Sequence, residues 1–179
     1  TGEGEHVLAY GINQAIEPGL PFEEVIDEIK KQNGISSAPH PFSLLDALRE
    51  KAMSCDMIEV FNSNNVDILS NVRASQFAEE NNMIQVAGSD SHVLSTMGRC
   101  VNIIESENNL DDVLHAMKHN GISIQQTGYA HEIETMEHLK FKINNSHDYL
   151  IDFIKKEYPN SKWLLSFFLT KYDIQIGRA

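Results

Sequence analysis

Short apolar segments alternate with longer amphipathic segments from residue 6 to residue 126 of this chain. The predicted strands are residues 6–12, 35–38, 57–61, 83–88 and 122–126, and the predicted helices are residues 22–34, 43–53, 67–82 and 109–121. Short strands separated by helices of about eleven residues or more are typical of βα units around a parallel sheet. We therefore expect an α/β fold, as either a barrel or an open doubly wound sheet.

The helix predicted at residues 22–34 shows the pattern most clearly. Its apolar residues recur at helical spacing on one face, and acidic residues occupy its first turn. Gly34 is expected to end it, because glycine adopts the left-handed conformation that commonly follows the last turn of a helix.

The pattern changes after Tyr129. Residues 130–179 contain two long amphipathic stretches separated by Pro159, which predict a helical C-terminal appendage to a domain comprising residues 1–129. The cluster WLLSFF at residues 163–168 admits a role at a membrane surface or in partner binding. At helical spacing it favours packing against the first domain or against a second copy of the chain. A homo-oligomer through these helices is therefore one expectation.

The formal charge of the chain is −12, and all of its net acidity lies in residues 1–129. An acidic surface repels phosphate backbones, so nonspecific nucleic-acid binding is disfavoured, whereas clustered acids and histidines suit cations. The longest apolar run, residues 163–169, is interrupted by Ser166, so no membrane span is predicted. Cys55 and Cys100 fit no CxxC pattern and are interpreted as reduced thiols of a cytoplasmic protein.

Four residues that can bind metals lie where predicted strands begin or end. His6 opens the first strand, His40 follows the second in SSAPHPF, and Asp90 and His92 follow the fourth in VAGSDSH. Since the carboxyl ends of parallel strands meet at one edge of a sheet, His40 is expected to lie near Asp90 and His92. Residues two apart in an extended segment project to the same side, so Asp90 and His92 are expected to face one pocket, with Gly88 allowing a sharp turn.

The side chains of these four residues suit catalytic metals. Imidazole nitrogen and carboxylate oxygen both bind zinc, manganese and iron, and a bound divalent ion can turn water into a nucleophile near neutral pH. Each residue alone has a simpler interpretation: His40 as a loop residue, His6 as a partner of a backbone group, and Asp90 as the N-cap of a helix. The combination favours a metal site over these alternatives.

A series of motifs occurs in a recognisable order: GEHVLAYGI, PFEEVIDEIKKQNGISSAPHPF, DMIEVFNSNN, FAEENNMIQVAGSDSH and MGRCVNI. In order and spacing they resemble the later part of the PHP (polymerase and histidinol phosphatase) domain of metal-dependent phosphoesterases, over roughly residues 1–126. The resemblance implies part of a distorted (βα)7 barrel that lacks its N-terminal strands. It also implies divalent metal ions (zinc, manganese or iron), two or three in a complete family member, at the carboxyl ends of the strands.

Position by position, the resemblance implies four metal ligands in this chain. His6 matches the ligand in the strand after the family's GxE motif, and His40 matches the ligand in its A-H-P or P-H-P loop. Asp90 matches the ligand in the S-D-x-H loop, and His92 matches the final histidine ligand. The implied reaction is hydrolysis of phosphate mono- or diesters by metal-activated water, on a phosphorylated small molecule, a nucleotide or a nucleic-acid end.

The chain departs from the family pattern at its N-terminal side. The HxH strand and the bridging Glu of the GxE motif would fall upstream of Thr1, and neither Glu3 nor Glu5 fits the bridging position. A longer natural protein, or loss of an N-terminal segment, is therefore expected. One alternative is a non-catalytic PHP remnant that acts as a binding or oligomerisation module through residues 130–179. Another is pairing of chains through unpaired barrel edges, which would supply the missing strands in trans.

Further polar residues allow two interpretations each. Arg99 is a candidate for phosphate binding, but a single arginine in an acidic region is also typical of an ion pair. Glu59 and Asn62 end a strand at the expected functional edge, where substrate contact and a role in the turn are both open; Asn62 is kept as a candidate substrate-binding residue. His115 and His119, four residues apart on a predicted helix, could bind adventitious metal.

Overall fold

The computed structural model of the chain describes residues 1–43, 46–65, 67–135 and 137. The chain divides into two units, Thr1–Thr135 and Met136–Ala179, and the fold below is that of the first unit. The helices predicted within residues 138–179 lie outside the described residues. The domain boundary predicted after residue 129 stays a prediction.

A four-stranded sheet forms the centre of the first unit. Its strands lie side by side in chain order: β1 Leu8–Tyr10, β2 Ile35–Ala38, β3 Met57–Asn62 and β4 Ile84–Gly88. Strands β2, β3 and β4 are parallel, as the alternation of strands and helices predicts. The carboxyl ends of these three strands therefore share one edge of the sheet.

Strand β1 runs antiparallel to β2, which differs from the parallel sheet expected from sequence. Tyr10 pairs with Ile35, so the chain leaves β1 and enters β2 at the same end of the sheet. The loop before the first helix must run back along the sheet to allow this. A pattern of alternating elements cannot reveal such a return, because it carries no information on strand direction.

A second sheet contains two antiparallel strands, β5 Val101–Ile104 and β6 Ile122–Gln126. Neither strand pairs with the central sheet by backbone hydrogen bonds, but β4 presents its free edge to Asn102 of β5. The Asn102 side chain accepts a hydrogen bond from the amide of Ala87 at 2.9 Å and donates one to the Ala87 carbonyl at 2.8 Å. The strands of the described ranges form no closed barrel, so the predicted part of a PHP-type barrel is not confirmed.

Three α-helices are confirmed, with bounds slightly shorter than predicted: α1 Phe22–Lys31, α2 Ile68–Glu80 and α3 Leu110–Lys118. Each is followed within two residues by an asparagine with positive φ, at Asn33, Asn82 and Asn120. The expectation that Gly34 ends α1 by a left-handed conformation is wrong, because Asn33 adopts it instead. Gly34 is required by close packing, since a Cβ there would lie 2.7 Å from Cγ2 of Ile12.

The prediction of an α-helix at residues 43–53 is also wrong. The described part of this segment contains a 3₁₀ helix, Arg49–Ser54, and both Asp46 and Arg49 have positive φ. An α-helix of L-residues cannot pass through left-handed positions. Burial of Leu48 and Ala52 in the core outweighs the helical preference of the segment.

The core lies on both faces of the central sheet. On one face, helices α1 and α2 pack against the sheet through residues such as Ile26, Ile58 and Phe77. On the other face, Ile35 and Met57 contact Met117 of α3, and partly buried residues of β5 and β6 join this cluster. In the described part of the chain, no helix is both long and apolar enough to cross a membrane.

Candidate metal and substrate site

A cavity of about 720 Å³ lies on the sheet face that carries Met57 and faces Met117 of α3. Its polar lining includes the side chains of Tyr10, Ser37 and four residues at the carboxyl ends of the strands, His40, Glu59, Asn62 and Asp90, together with His6. Its apolar lining includes Met57, Val86, Ile104, Met117 and Ile122. The cavity therefore has a polar rim at the carboxyl edge and an apolar floor, an arrangement common in small-molecule sites.

His6 and His40 meet at the polar rim. Nδ1 of His6 lies 3.2 Å from Nε2 of His40, and the two rings are nearly perpendicular, with centroids 5.2 Å apart. His40 is buried, whereas His6 is exposed. Burial lowers the pKa of His40; the nearby Asp90 carboxylate opposes this shift and His6 adds to it. A lowered pKa favours the neutral imidazole, which is the form that binds metals.

The side chain of Glu59 contacts the backbone of His40. Oε2 of its carboxylate accepts hydrogen bonds from the backbone N–H of His40 at 2.6 Å and from Nδ2 of Asn62 at 2.9 Å. Burial raises the pKa of Glu59 to about 7, although both hydrogen bonds oppose the shift. The Glu59 carboxylate thus fixes the loop that carries His40.

A bulge in β3 places Asn62 on the same face of the sheet as Glu59. Glu59 pairs with Val86 and Asn62 pairs with Gly88, so three residue steps in β3 match two steps in β4. Without this shift, residues three apart on a strand would face opposite sides.

Asp90 lies in the cavity, but the structure does not bring His92 into it. His92 lines a separate shallow pocket and directs Nδ1 to the backbone oxygen of Asp90 at 2.9 Å. The expectation that both residues face one pocket assumes an extended segment, whereas Asp90 has a φ of 47°. The role of His92 as a ligand stays a prediction.

The backbone is strained at two of the predicted ligands. His40 has a φ of 32° and Asp90 a φ of 47°, in the region that residues other than glycine rarely adopt. A hydrogen bond from Nδ2 of Asn64 to the Asp90 carbonyl, 2.6 Å long, holds one of these conformations. Such strain persists where surrounding contacts enforce it, and it is common at functional sites.

The two predicted substrate-binding residues have structural partners. Asn62 exchanges hydrogen bonds with Asn71, its backbone N–H donating to Oδ1 and its carbonyl accepting from Nδ2, and its own side chain holds Glu59. Arg99 does not line the cavity; its guanidinium pairs with Glu134 and lowers the pKa of that carboxyl. Of its two interpretations, Arg99 therefore matches the ion pair.

Glu59 and Ser37 are two of the cavity residues that the predicted ligands and substrate-binding residues do not include. Glu59 carries a recognisable signal, because an acidic residue within the apolar strand sequence MIEVF must have a partner once buried. Ser37 carries no such signal, since serine is common on strands and at turns. Only the three-dimensional fold places this residue beside the cavity.

The donor set fits a metal in part. Two imidazole nitrogens bound to one tetrahedral zinc at about 2.0–2.1 Å lie about 3.3–3.4 Å apart, close to the 3.2 Å between His6 and His40. Across the described ranges, no group of three or more His, Cys, Asp or Glu side chains is close enough to hold a metal ion. The structure therefore brings together a pair of candidate ligands, His6 and His40, with Asp90 in the same cavity.

Residues 69–121 match the family model described as PHP-associated. The resemblance to PHP proteins is confirmed. This PHP-associated region runs from α2 to the residue before β6 and contains Asp90 and His92, whereas His6 and His40 precede it.

Two relatives come from Methanocaldococcus jannaschii. The uncharacterized protein MJ1587 is 37% identical over 84 residues, which are 45% of this chain and 48% of the relative. The uncharacterized protein MJ0417 is 28% identical over 154 residues, 80% of this chain and 62% of the relative. The chain thus spans about half to three fifths of the length of these relatives. The crystal structure of PsfC from Pseudomonas syringae PB-5123 is 17% identical, with a TM-score of 0.48, and the match covers 82% of this chain and 62% of that one.

Proposed function

We propose that the cavity is the site of a metal-dependent phosphoesterase, which hydrolyses phosphate mono- or diesters by metal-activated water. The observation that carries the proposal is the 3.2 Å approach of Nδ1 of His6 to Nε2 of His40 at the rim. His6 and His40 come from two segments 34 residues apart, and their spacing suits two ligands of one ion. The PHP-associated region supports the family context of this proposal.

In this proposal His6, His40, Asp90 and His92 hold zinc, manganese or iron, and His92 reaches the site only if its loop turns. A bound divalent ion would supply Lewis acidity and a water of lowered pKa. The protein's own groups keep His40 neutral by burial and fix its loop through Glu59. The substrate is a phosphorylated small molecule, a nucleotide or a nucleic-acid end.

The test is elemental analysis of the chain purified without chelator, combined with assays on 4-nitrophenyl phosphate and bis(4-nitrophenyl) phosphate. We expect about one or more zinc, manganese or iron ions per chain and measurable hydrolysis of at least one ester. His40→Ala is expected to remove the metal and to lower hydrolysis by more than about 100-fold.

The matched control is the double variant His115→Ala, His119→Ala. These histidines lie at the end of α3 with ring centroids 4.2 Å apart, so they could bind adventitious metal. Metal that is lost in the control but retained in His40→Ala contradicts the proposed site. Metal bound through His40 without hydrolysis of either ester contradicts the phosphoesterase, and leaves the non-catalytic binding module as the better description.

A further inference from the structure

The hydroxyl of Ser37 lacks a partner inside the cavity. Ser37 is 1% exposed, and its Oγ is the one buried side-chain polar atom of the described residues without a hydrogen bond. A buried hydroxyl without a partner carries a desolvation cost that a ligand or an ordered water can remove. Ser37 also lines the cavity, so a turn of its side chain would present this hydroxyl to a molecule that enters.

Ser37 lies at the apolar floor, away from the polar rim. It pairs with Met57, and Glu59 follows Met57 by two residues on the same face of β3. Two strand residues span about 7 Å. Ser37 is therefore too far along the sheet to act on a phosphate held by His6 and His40. A polar group separated from that phosphate by the width of an aromatic ring would reach Ser37.

Apart from Tyr10 and Asn102, the walls around Ser37 are apolar. Val86 lies on the strand beyond Met57, and Ile104, Met117 and Ile122 close the cavity from β5, α3 and β6. A sugar would bring several hydroxyls against these walls and find few partners there, which costs free energy for each one left unpaired. An aromatic or aliphatic body with a single polar group matches the lining better.

We propose that the floor of the cavity binds the organic part of a phosphate ester, and that Ser37 hydrogen-bonds to one polar group on an otherwise apolar body. The substrate class is the phosphate ester of an aromatic or similarly apolar alcohol with a second hydrogen-bonding group. This inference rests on the proposed function for the position of the phosphate. The binding of the apolar body and the role of Ser37 are testable without hydrolysis.

The test uses two non-hydrolysable probes, phenylphosphonate and 4-hydroxyphenylphosphonate, with the full chain labelled at the methionine methyl carbons. Met57 and Met117 line the cavity, so their NMR signals report its occupancy. Met53 and Met97 are 61% and 64% exposed and serve as internal controls. We expect both probes to shift the two cavity signals, with about fivefold tighter binding of the hydroxylated probe, the size of one net hydrogen bond.

Two serine variants decide the role of Ser37. Ser37→Ala is expected to abolish the fivefold preference, whereas Ser36→Ala, on the opposite face of β2, is expected to retain it. The inference is overturned if the cavity signals do not move, if the wild-type chain shows no preference, or if Ser37→Ala keeps it. If both probes bind with a Ser37-dependent preference but neither ester is hydrolysed, only the proposed phosphoesterase is contradicted. If an ester is hydrolysed but the preference does not depend on Ser37, only the present inference is contradicted.

Discussion

Gly88 faces the carboxylate of Glu59 so closely that a Cβ built on the glycine would lie 1.7 Å from Oε1 of Glu59. The two residues come from neighbouring strands and meet at the rim of the cavity. The glycine at this position is therefore required by the approach of a buried carboxylate, and not by a turn of its own backbone. The Glu59 carboxylate also accepts the N–H of His40, so the contact at Gly88 helps to position a candidate ligand.

Gly88→Ala is expected to displace Glu59 and to lower the free energy of unfolding by about 1–3 kcal/mol, the usual cost of overpacking. Gly128→Ala is the matched control, because the nearest atom to its added Cβ would be the Arg99 carbonyl at an ordinary 3.5 Å. Chemical denaturation of both variants measures the difference. Equal stability of Gly88→Ala and the wild-type chain would contradict the proposed crowding.

Ser36→Ala and Ser37→Ala are expected to change stability in opposite directions. Oγ of Ser36 donates to Oδ2 of Asp56 at 2.7 Å and accepts from its backbone N–H at 3.0 Å, so its loss should cost about 2 kcal/mol. Ser37→Ala removes a buried hydroxyl without a partner and should raise the free energy of unfolding by up to about 1 kcal/mol. Urea denaturation of the ligand-free chain compares the two, and a loss of stability in Ser37→Ala would show that its hydroxyl has a partner such as ordered water.

Glu59 should make the metal-free chain less stable as the pH rises from 4.5 to about 7. Its pKa is raised from 4.5 to about 7 by burial, so the folded state binds more protons than the unfolded state within this window. The stabilisation is fully present below pH 4.5, is lost on the way to about pH 7 and stays lost above it. The loss is on the order of 3 kcal/mol.

Glu59→Gln removes this titration and should flatten the corresponding part of the stability profile. The titration of His40 has the opposite effect on stability. Because its pKa is lowered in the folded state, the free energy of unfolding rises with pH up to 6.5, the ordinary pKa of histidine. The informative quantity is therefore the difference between the wild-type and Glu59→Gln profiles, measured by denaturation from pH 4 to pH 8. Glu50→Gln, at an exposed position, provides the control. A constant difference across this range would contradict the raised pKa.

Asn102→Ala should unpair two backbone groups of β4. The Asn102 side chain bonds both the N–H and the C=O of Ala87, a residue that is 6% exposed. We expect a loss of about 2 kcal/mol in the free energy of unfolding and about tenfold faster hydrogen exchange at the Ala87 amide. Asn108→Ala, in an exposed turn, should do neither. Unchanged exchange at Ala87 would show that water or another group replaces the side chain.

Local features of the fold could be predicted from sequence because they depend on short stretches of chain. The start of α2 is one example, since Asp67 caps it by accepting the N–H of Ser70. Asn109 caps α3 in the same way through Asp112. The parallel strands could be predicted from their apolar character, and the candidate site at their carboxyl ends from their direction.

Other features depend on distant contacts and could not be predicted. The direction of β1 is set by the path of a loop, and left-handed backbone at Asp46 and Arg49 interrupts the helix predicted over residues 43–53. His92 turns away from the cavity because the backbone of Asp90 is left-handed. The neighbouring residues do not indicate this conformation. The hydroxyl of Ser37 lacks a hydrogen-bond partner because of how the neighbouring strands pack around it, which the local sequence does not indicate.

The bulge in β3 changes the phase of the strand. Residues up to Glu59 follow one alternation of faces, and residues from Phe61 onward follow another, displaced by one position. Met57 of the floor and Glu59 of the rim precede this change of phase, and Asn62 of the rim follows it. Deleting one residue between Glu59 and Phe61 would restore the regular alternation and turn Asn62 to the opposite face, so the length of this strand, as well as its sequence, determines which polar groups reach the cavity.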